Sequence, residues 1–208
     1  MSLAEKISKF NRQRKWQKFL EQCAPGADTQ ILDIGFSDEE YSAVDNFLEK
    51  NYSYPQNITA IGIDQPNKFL ARYPKVKAIK YDGTHFPFSD QSFSIAWSNA
   101  VLEHVGKREA QINFLKEIKR VAKKAFITTP NRNFPLEVHT RIPFLHWLPK
   151  DSFDWILKRV GKGWAAGSYM NLLNLKGLKE ILALAGIKDY KIIKNKLFGL
   201  TLDFIIVW

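Results

Sequence analysis

Cysteine is almost missing from this sequence: Cys23 is the only one in 208 residues. A single thiol excludes an intrachain disulfide and any zinc site built from several cysteines, and it fits a reducing, cytoplasmic setting. Long apolar runs are missing as well. The first twenty residues, MSLAEKISKFNRQRKWQKFL, are polar and basic throughout and lack the continuous apolar stretch that a signal peptide or membrane span requires. Acidic side chains are in deficit, 21 against 31 Lys and Arg, giving a formal net charge of +10. Anionic surfaces should attract such a chain, whether nucleic acid, acidic lipid or a phosphorylated substrate, and charge alone does not choose among them. What remains, with 45% hydrophobic and 25% charged residues and no internal repeat, is ordinary globular composition in a chain long enough for one domain, residues 1–208, with one substantial core.

Apolar periodicity alternates between two types along the chain. QILDIGF, ITAIGID, VKAIKY, FSIAWSN and KAFITTP are short apolar runs suited to strands buried on both faces of a parallel sheet. Between them, Ile112, Leu115, Ile118 and Ala122 keep helical spacing, as do Leu178, Ile181, Leu182 and Ala185, with Gly186 placed to end the latter helix. Strand and helix in alternation predict a doubly wound α/β fold with helices on both faces. In the closing stretch, Leu200, Leu202, Phe204 and Ile206 alternate with their neighbours after a turn near Gly199, which predicts a terminal antiparallel strand pair. Ligands of an open α/β sheet bind beyond the carboxyl ends of the strands. The residues to interrogate are therefore Asp33 to Ser37, Asp64, Asp82 to His85, Ser98 to His104 and Thr128 to Asn133.

Over residues 30 to 135, LDIG, IGID, YDGTHFPFSDQSFSIAWSNAVLEHV and EIKRVAKKAFITTPNR stand in one order. In that order they resemble the class I S-adenosylmethionine-dependent methyltransferases of the small-molecule type. The resemblance implies a Rossmann-like seven-stranded sheet with the last strand antiparallel, and S-adenosylmethionine lying across the ends of the first four strands. It implies that Asp64 takes the ribose hydroxyls, that Asp82 takes the adenine amino group with Gly83 beside it, and that Asn99 lies under the methionine part. Asp33, Gly35 and Ser37 complete the implied cofactor set. Independent chemistry supports Asp64, since a strand-end carboxylate can accept from both ribose hydroxyls; the alternative is that Asp64 merely opens the turn in DQPN.

After the first strand the sequence is short of glycine. The family carries three alternating glycines there, which let backbone amides close on a ligand; here Gly35 is kept, and Ser37 and Glu39 stand in place of the others. SDEE is also a capping-box pattern, Ser37 with Glu40 three residues on, which predicts a helix beginning where the family's does. Asp38 or Glu39 could meet the ammonium or sulfonium of the cofactor instead of obstructing it. KNYSYPQN reads as a loop extension that lengthens the stretch from Gly35 to Asp64 beyond the roughly 20 residues usual before a ribose carboxylate.

Methyl transfer from a sulfonium depends mostly on positioning. A hydroxyl acceptor would gain from a base, and His104, His139 and His146 are the candidates; backbone bonding or packing would equally account for each. Ala100 stands where metal-dependent relatives place a further carboxylate before the Glu103–His104 pair, so no metal is expected. Cys23 precedes the first strand, which argues against thiolate-dependent methylation of pyrimidine carbon, and SNAVLEHV lacks the Asn-Pro-Pro-aromatic type of signature for base amino groups. The basic stretch KFNRQRKWQK lies in a helical extension, residues 1–23, and leaves RNA methylation as an alternative; a solvated helix face opposite Trp16, Phe19, Leu20 and Cys23 accounts for it better.

Residues 132–165 interrupt the alternation with Trp147, Trp155 and Trp164 among Lys and Arg, as a lid over the acceptor pocket would. Rings that dip into a bilayer and cations that meet head groups suit a small-molecule or lipid- or glycan-linked acceptor and peripheral contact with an anionic membrane; a lid packed on its own core is the alternative. The sequence thus reads as an O-methyltransferase of such an acceptor. A methyltransferase-like binding module that has lost catalysis through the altered glycine turn is the alternative from another class.

Overall fold

The structure is a computed structural model that describes residues 3–136, 142–163, 166–167 and 170–208. Seven strands form one sheet: β1 (Ile31–Ile34), β2 (Ile58–Gly62), β3 (Lys77–Lys80), β4 (Phe93–Asn99), β5 (Ala122–Pro130), β6 (Lys191–Leu197) and β7 (Leu200–Val207), in the order β3-β2-β1-β4-β5-β7-β6. β1 pairs in parallel with β2 and β4, and β2 with β3. β7 is antiparallel. Ala125 and Trp208 exchange backbone hydrogen bonds of 3.0 and 3.4 Å, while Asn131 N–H donates to Leu202 C=O, so residue numbers rise along one strand as they fall along its neighbour. The turn between β6 and β7 holds Phe198 and Gly199, both at positive φ, where the alternation of the sequence placed it. Helices α1 (Leu3–Cys23), α2 (Phe47–Asn51), α3 (Asn67–Arg72), α4 (Arg108–Val121), α5 (Lys150–Arg159) and α6 (Leu175–Leu184) connect or follow the strands.

The backbone divides into two compact units, the first comprising Met1–Asn99, Glu117–Ile127 and Val207–Trp208, the second Ala100–Lys116 and Thr128–Ile206. In the first unit all four residues of β1 are buried, as are Ile58, Ala60 and Ile61 of β2. This is the continuous apolar type of strand that a sheet covered on both faces requires. Helix α1 belongs to this core. Phe19 packs edge-on against Trp97 and Phe126, ring centroids 4.9 and 5.4 Å away, and Trp97 stacks on Phe126 at 5.1 Å. Cys23 at its end is buried, and burial pushes its thiol up to about 11, with Lys124 pulling the other way, so it stays protonated and inert. No described helix is long and apolar enough to cross a membrane.

The second unit has a small core of its own, Leu145, Phe153 and Leu157, with Ile142, Ile156 and Met170 packed against it. All of these but Met170 belong to the segment that interrupts the sequence alternation. α5 presents Phe153 and Leu157 to this core at helical spacing and turns Trp155 and Val160 to solvent. α6 begins at an N-cap, Asn174, whose side chain accepts from Gly177 N–H at 2.9 Å, and ends before Gly186.

Candidate active site

In the first unit the carboxyl ends of β1, β2, β3 and β4 carry Asp33 and Gly35, Asp64, Asp82 and Gly83, and Asn99. Gly35, at φ 99°, donates its N–H to Ile61 C=O at 2.8 Å and so fastens the end of β1 to β2. Asp64 is exposed, and no group among the described residues engages its carboxylate. Asp82 is exposed too, but one of its oxygens is already used: Oδ1 accepts from Thr84 N–H, Thr84 Oγ1–H and His85 N–H at 2.8, 2.7 and 3.2 Å. These bonds, Thr84 foremost, hold the carboxyl below the usual range and leave Oδ2 for a ligand. Gly83 is at φ 85°, and a Cβ there would meet only Ile63 Cγ2, at 3.7 Å. Ile63 itself is 64% exposed. A bare backbone facing an uncovered aliphatic side chain, with a carboxylate at each of two neighbouring strand ends, fits a flat base joined to a diol.

The turn after Gly35 departs from the sequence expectation. No helix begins at Ser37; residues 37–46 are irregular and α2 starts only at Phe47. The capping box does not form because its members have other partners. Ser37 Oγ–H donates to Glu39 C=O at 2.6 Å, and Glu40 accepts from Asn46 and Tyr73 and pairs with Lys50 at 2.8 Å. Burial alone would raise the Glu40 carboxyl, but the bonds from Lys50, Tyr73 and Asn46 outweigh it and keep it low. Asn46 closes the loop by pairing with both backbone groups of Ser37, at 2.8 and 2.9 Å. Asp38 acts as a cap across the chain, its Oδ1 accepting from Lys68 and Phe69 N–H of α3 at 2.8 and 2.9 Å. Glu39 pairs with Lys68. The two acidic side chains that stand near the missing glycines therefore bind α3, and Phe36 packs at a tilt against Phe69, ring centroids 4.7 Å apart, to complete the attachment. Glu39→Gly is expected to remove one exposed ion pair, with little effect on stability because solvent screens it, and to leave S-adenosylhomocysteine affinity within twofold of wild type by calorimetry. A larger change of either sign would place Glu39 at the ligand.

One residue that holds this site was missed in the sequence. Arg120, near the end of α4, donates to Phe86 and Phe88 C=O at 2.9 and 2.6 Å, to Asp90 at 3.0 Å and to both oxygens of Glu117 at 2.9 and 2.8 Å. Glu117 in turn accepts from Phe86 N–H at 2.8 Å. The fork anchors the loop that follows Asp82 and Gly83, and the guanidinium is held above its ordinary range chiefly by Glu117. EIKR signalled only a basic helix end, because the loop it clasps lies about thirty residues upstream. Arg120→Ala is expected to cost about 2–3 kcal/mol, a fall in Tm of roughly 4–12 °C, measurable by thermal unfolding.

Asp33 stands apart from the other carboxylates because it is buried within β1, beside the buried Glu49 of α2. Burial raises both carboxyls. Glu49 is pushed further by the charge of Asp33, whereas Glu49 and Arg12 moderate the rise at Asp33.

Two of the three candidate bases, His104 and His146, are described, and both belong to the second unit. His104 is partly buried, with Nε2 3.9 Å from Oε1 of the fully buried Glu103, which accepts from Thr129 Oγ1–H at 3.1 Å. His146 is 91% buried, Nε2 lying 2.9 Å from Arg132 C=O, a carbonyl that also accepts from Trp147 Nε1–H at 2.9 Å. A carbonyl can only accept, so Nε2 carries the hydrogen and a neutral His146 presents its lone pair at Nδ1. That atom is buried and has no protein partner among the described residues. His146 is among the residues that line a cavity of about 680 Å³, with Lys107, Arg108, Gln111, Arg132 and Phe153. His139 and Trp164 lie outside the described residues. Among the described residues no group of three or more His, Cys, Asp or Glu could hold a metal ion.

The methyltransferase-domain family model matches residues 30–125, the stretch that holds every strand-end residue of the first unit. A solved S-adenosylmethionine-dependent methyltransferase from Methanosarcina mazei is 19% identical, with 88% of this chain and 92% of that one covered and a TM-score of 0.54. A Thermotoga maritima methyltransferase, described as a possible histamine N-methyltransferase, is 15% identical over 99% of this chain and 90% of its own, with a TM-score of 0.60. The N-terminal domain of EvdMO1 with S-adenosylhomocysteine bound is 15% identical over 95% and 79%, with a TM-score of 0.57. No curated protein matches the sequence significantly. Residues 30–125 thus carry the sequence pattern of a methyltransferase domain, and the chain has the fold of these S-adenosylmethionine-dependent methyltransferases.

Proposed function

We propose that this chain is an S-adenosylmethionine-dependent methyltransferase that methylates a hydroxyl oxygen of a small-molecule or lipid- or glycan-linked acceptor at the surface of an anionic membrane, with His146 as the base. The observation that carries the reading is the arrangement at His146. Its Nε2–H is donated to Arg132 C=O, Nδ1 has no partner among the described residues, and the residue lines a cavity, so a hydroxyl that reached Nδ1 would find its base already oriented. S-adenosylmethionine supplies the methyl group on a sulfonium, activated for in-line displacement. In the first unit Asp64 takes the ribose hydroxyls and Asp82 Oδ2 the adenine amino group. Gly83 and Ile63 bracket the base, and Gly35, Ser37, Asp33 and Asn99 surround the remainder. His104 is the second candidate base.

The membrane part of the reading is supported by the segment around α5. It leaves Phe144, Trp147, Leu148, Trp155 and Val160 exposed, with Arg159 lying 4.3 Å over the Trp155 ring and Lys158 exposed beside it. Apolar rings interleaved with cations suit an interface of acyl chains and anionic head groups. Sedimentation with vesicles tests this: anionic phosphatidylglycerol vesicles should carry the protein down at low salt and release it at high salt, and neutral phosphatidylcholine vesicles should not. Label from methyl-tritiated S-adenosylmethionine should pass to hydroxyl-bearing lipids or glycolipids in those vesicles. If vesicles are ignored and an RNA is bound through the basic residues of α1, the acceptor is nucleic acid.

A further inference from the structure

The cavity beside His146 has a charge that methyl transfer to a hydroxyl does not require. Lys107 and Arg132 line it, Arg108 lines it while paired with Glu180 at 2.9 Å, and no carboxylate is among its described lining residues. Lys107 precedes and Arg108 opens α4, a helix of 14 residues, whose N-terminal amides add partial positive charge on the same side. The opposite character is present too: Leu148, Phe153, Met170 and Leu172 give the cavity an apolar wall. Two buried polar side chains build the site. Gln111, 1% exposed, is fixed by donating to Leu102 and Asn171 C=O at 3.1 and 2.9 Å. His146, 9% exposed, also lines it, and its Nδ1 has no partner among the described residues.

We infer that this cavity is an anion subsite for the acceptor, one that receives a phosphate ester joined to an apolar chain. Lys107 and Arg132 meet the phosphate, the leucines, Phe153 and Met170 meet the chain, and His146 Nδ1 is left for a hydroxyl. The volume, about 680 Å³, is that of a site for a drug-sized molecule. Cationic groups with no carboxylate among the described lining residues attract an anion, which a purely neutral acceptor would not supply. The hydroxyl assignment rests on the proposed O-methyl transfer; the anion subsite does not.

Calorimetric titration of the full chain, with S-adenosylhomocysteine present, tests the subsite with three probes: octyl phosphate below its micellar concentration, inorganic phosphate and octyl glucoside. Octyl phosphate should bind at least tenfold more tightly than either of the others. Lys107→Gln and Arg132→Gln should each weaken octyl phosphate about tenfold, because each removes a charge-assisted contact. Both should leave octyl glucoside and S-adenosylhomocysteine affinities unchanged, which also certifies that the variants fold. Equal binding of octyl phosphate and octyl glucoside would overturn the inference, as would wild-type affinity in both variants. Inorganic phosphate binding as tightly as octyl phosphate would overturn the chain-bearing half of it and point to a free phosphate. If octyl phosphate fails while vesicles bind and label reaches hydroxyl lipids, the subsite falls and the O-methyltransferase reading stands. If octyl phosphate binds as expected but no hydroxyl accepts label, the subsite stands and that reading falls.

Discussion

Replacing His146 with Gln is expected to slow methyl transfer about a hundredfold while S-adenosylhomocysteine affinity stays at its wild-type value. A positioned base contributes roughly 10²- to 10⁴-fold, and the lower end applies because the cofactor already activates the methyl group. Gln is the informative substitution because its amide can still donate to Arg132 C=O, the bond His146 Nε2 makes, while it offers no basic nitrogen in place of Nδ1. The local fold around Leu145 and Trp147 should therefore survive, and single-turnover transfer to a hydroxyl acceptor reports the lost base separately from binding. An unchanged rate would remove His146 from the chemistry. If His104→Gln carries the loss instead, the base is the histidine beside Glu103.

Asp64→Ala should weaken S-adenosylhomocysteine binding by about a hundredfold. A carboxylate that accepts from two ribose hydroxyls makes two charge-assisted bonds, each worth roughly 1.5–3 kcal/mol, and solvent screening at an open strand end keeps the sum near the lower figure. Stability should hardly move, because Asp64 is exposed and no described residue engages its side chain. That separation distinguishes it from Arg120→Ala, which strikes the fold first and the ligand only through the loop it anchors. Calorimetry on both variants, with thermal unfolding alongside, checks the pair; Asp64→Ala affinity within threefold of wild type would send the ribose elsewhere.

The site was legible where it rests on local pattern. Asp64, Asp82 and Asn99 follow apolar runs that became β2, β3 and β4, and a carboxylate just past a buried strand is displayed at the sheet's edge whatever packs around it. The glycine turn was misread for the converse reason. Ser37 and Glu40 have capping-box spacing, but Asn46, Lys50 and Tyr73 compete for Glu40, and Tyr73 is thirty-three residues away. Sequence spacing measures only the local option.

By itself the sequence determined the alternation of strands and helices, the antiparallel end with its turn at Gly199, and the strand-end positions of the acidic residues. The reason is that hydrophobic periodicity follows from which face of each element is buried. Tertiary structure alone decided that Asp38 caps α3 and Glu39 meets Lys68, that Arg120 clasps the loop after Asp82, and that His146 keeps its lone pair on Nδ1. Each of these depends on a donor or acceptor fourteen or more residues distant, and a hydrogen bond recognises geometry, which chain separation does not encode.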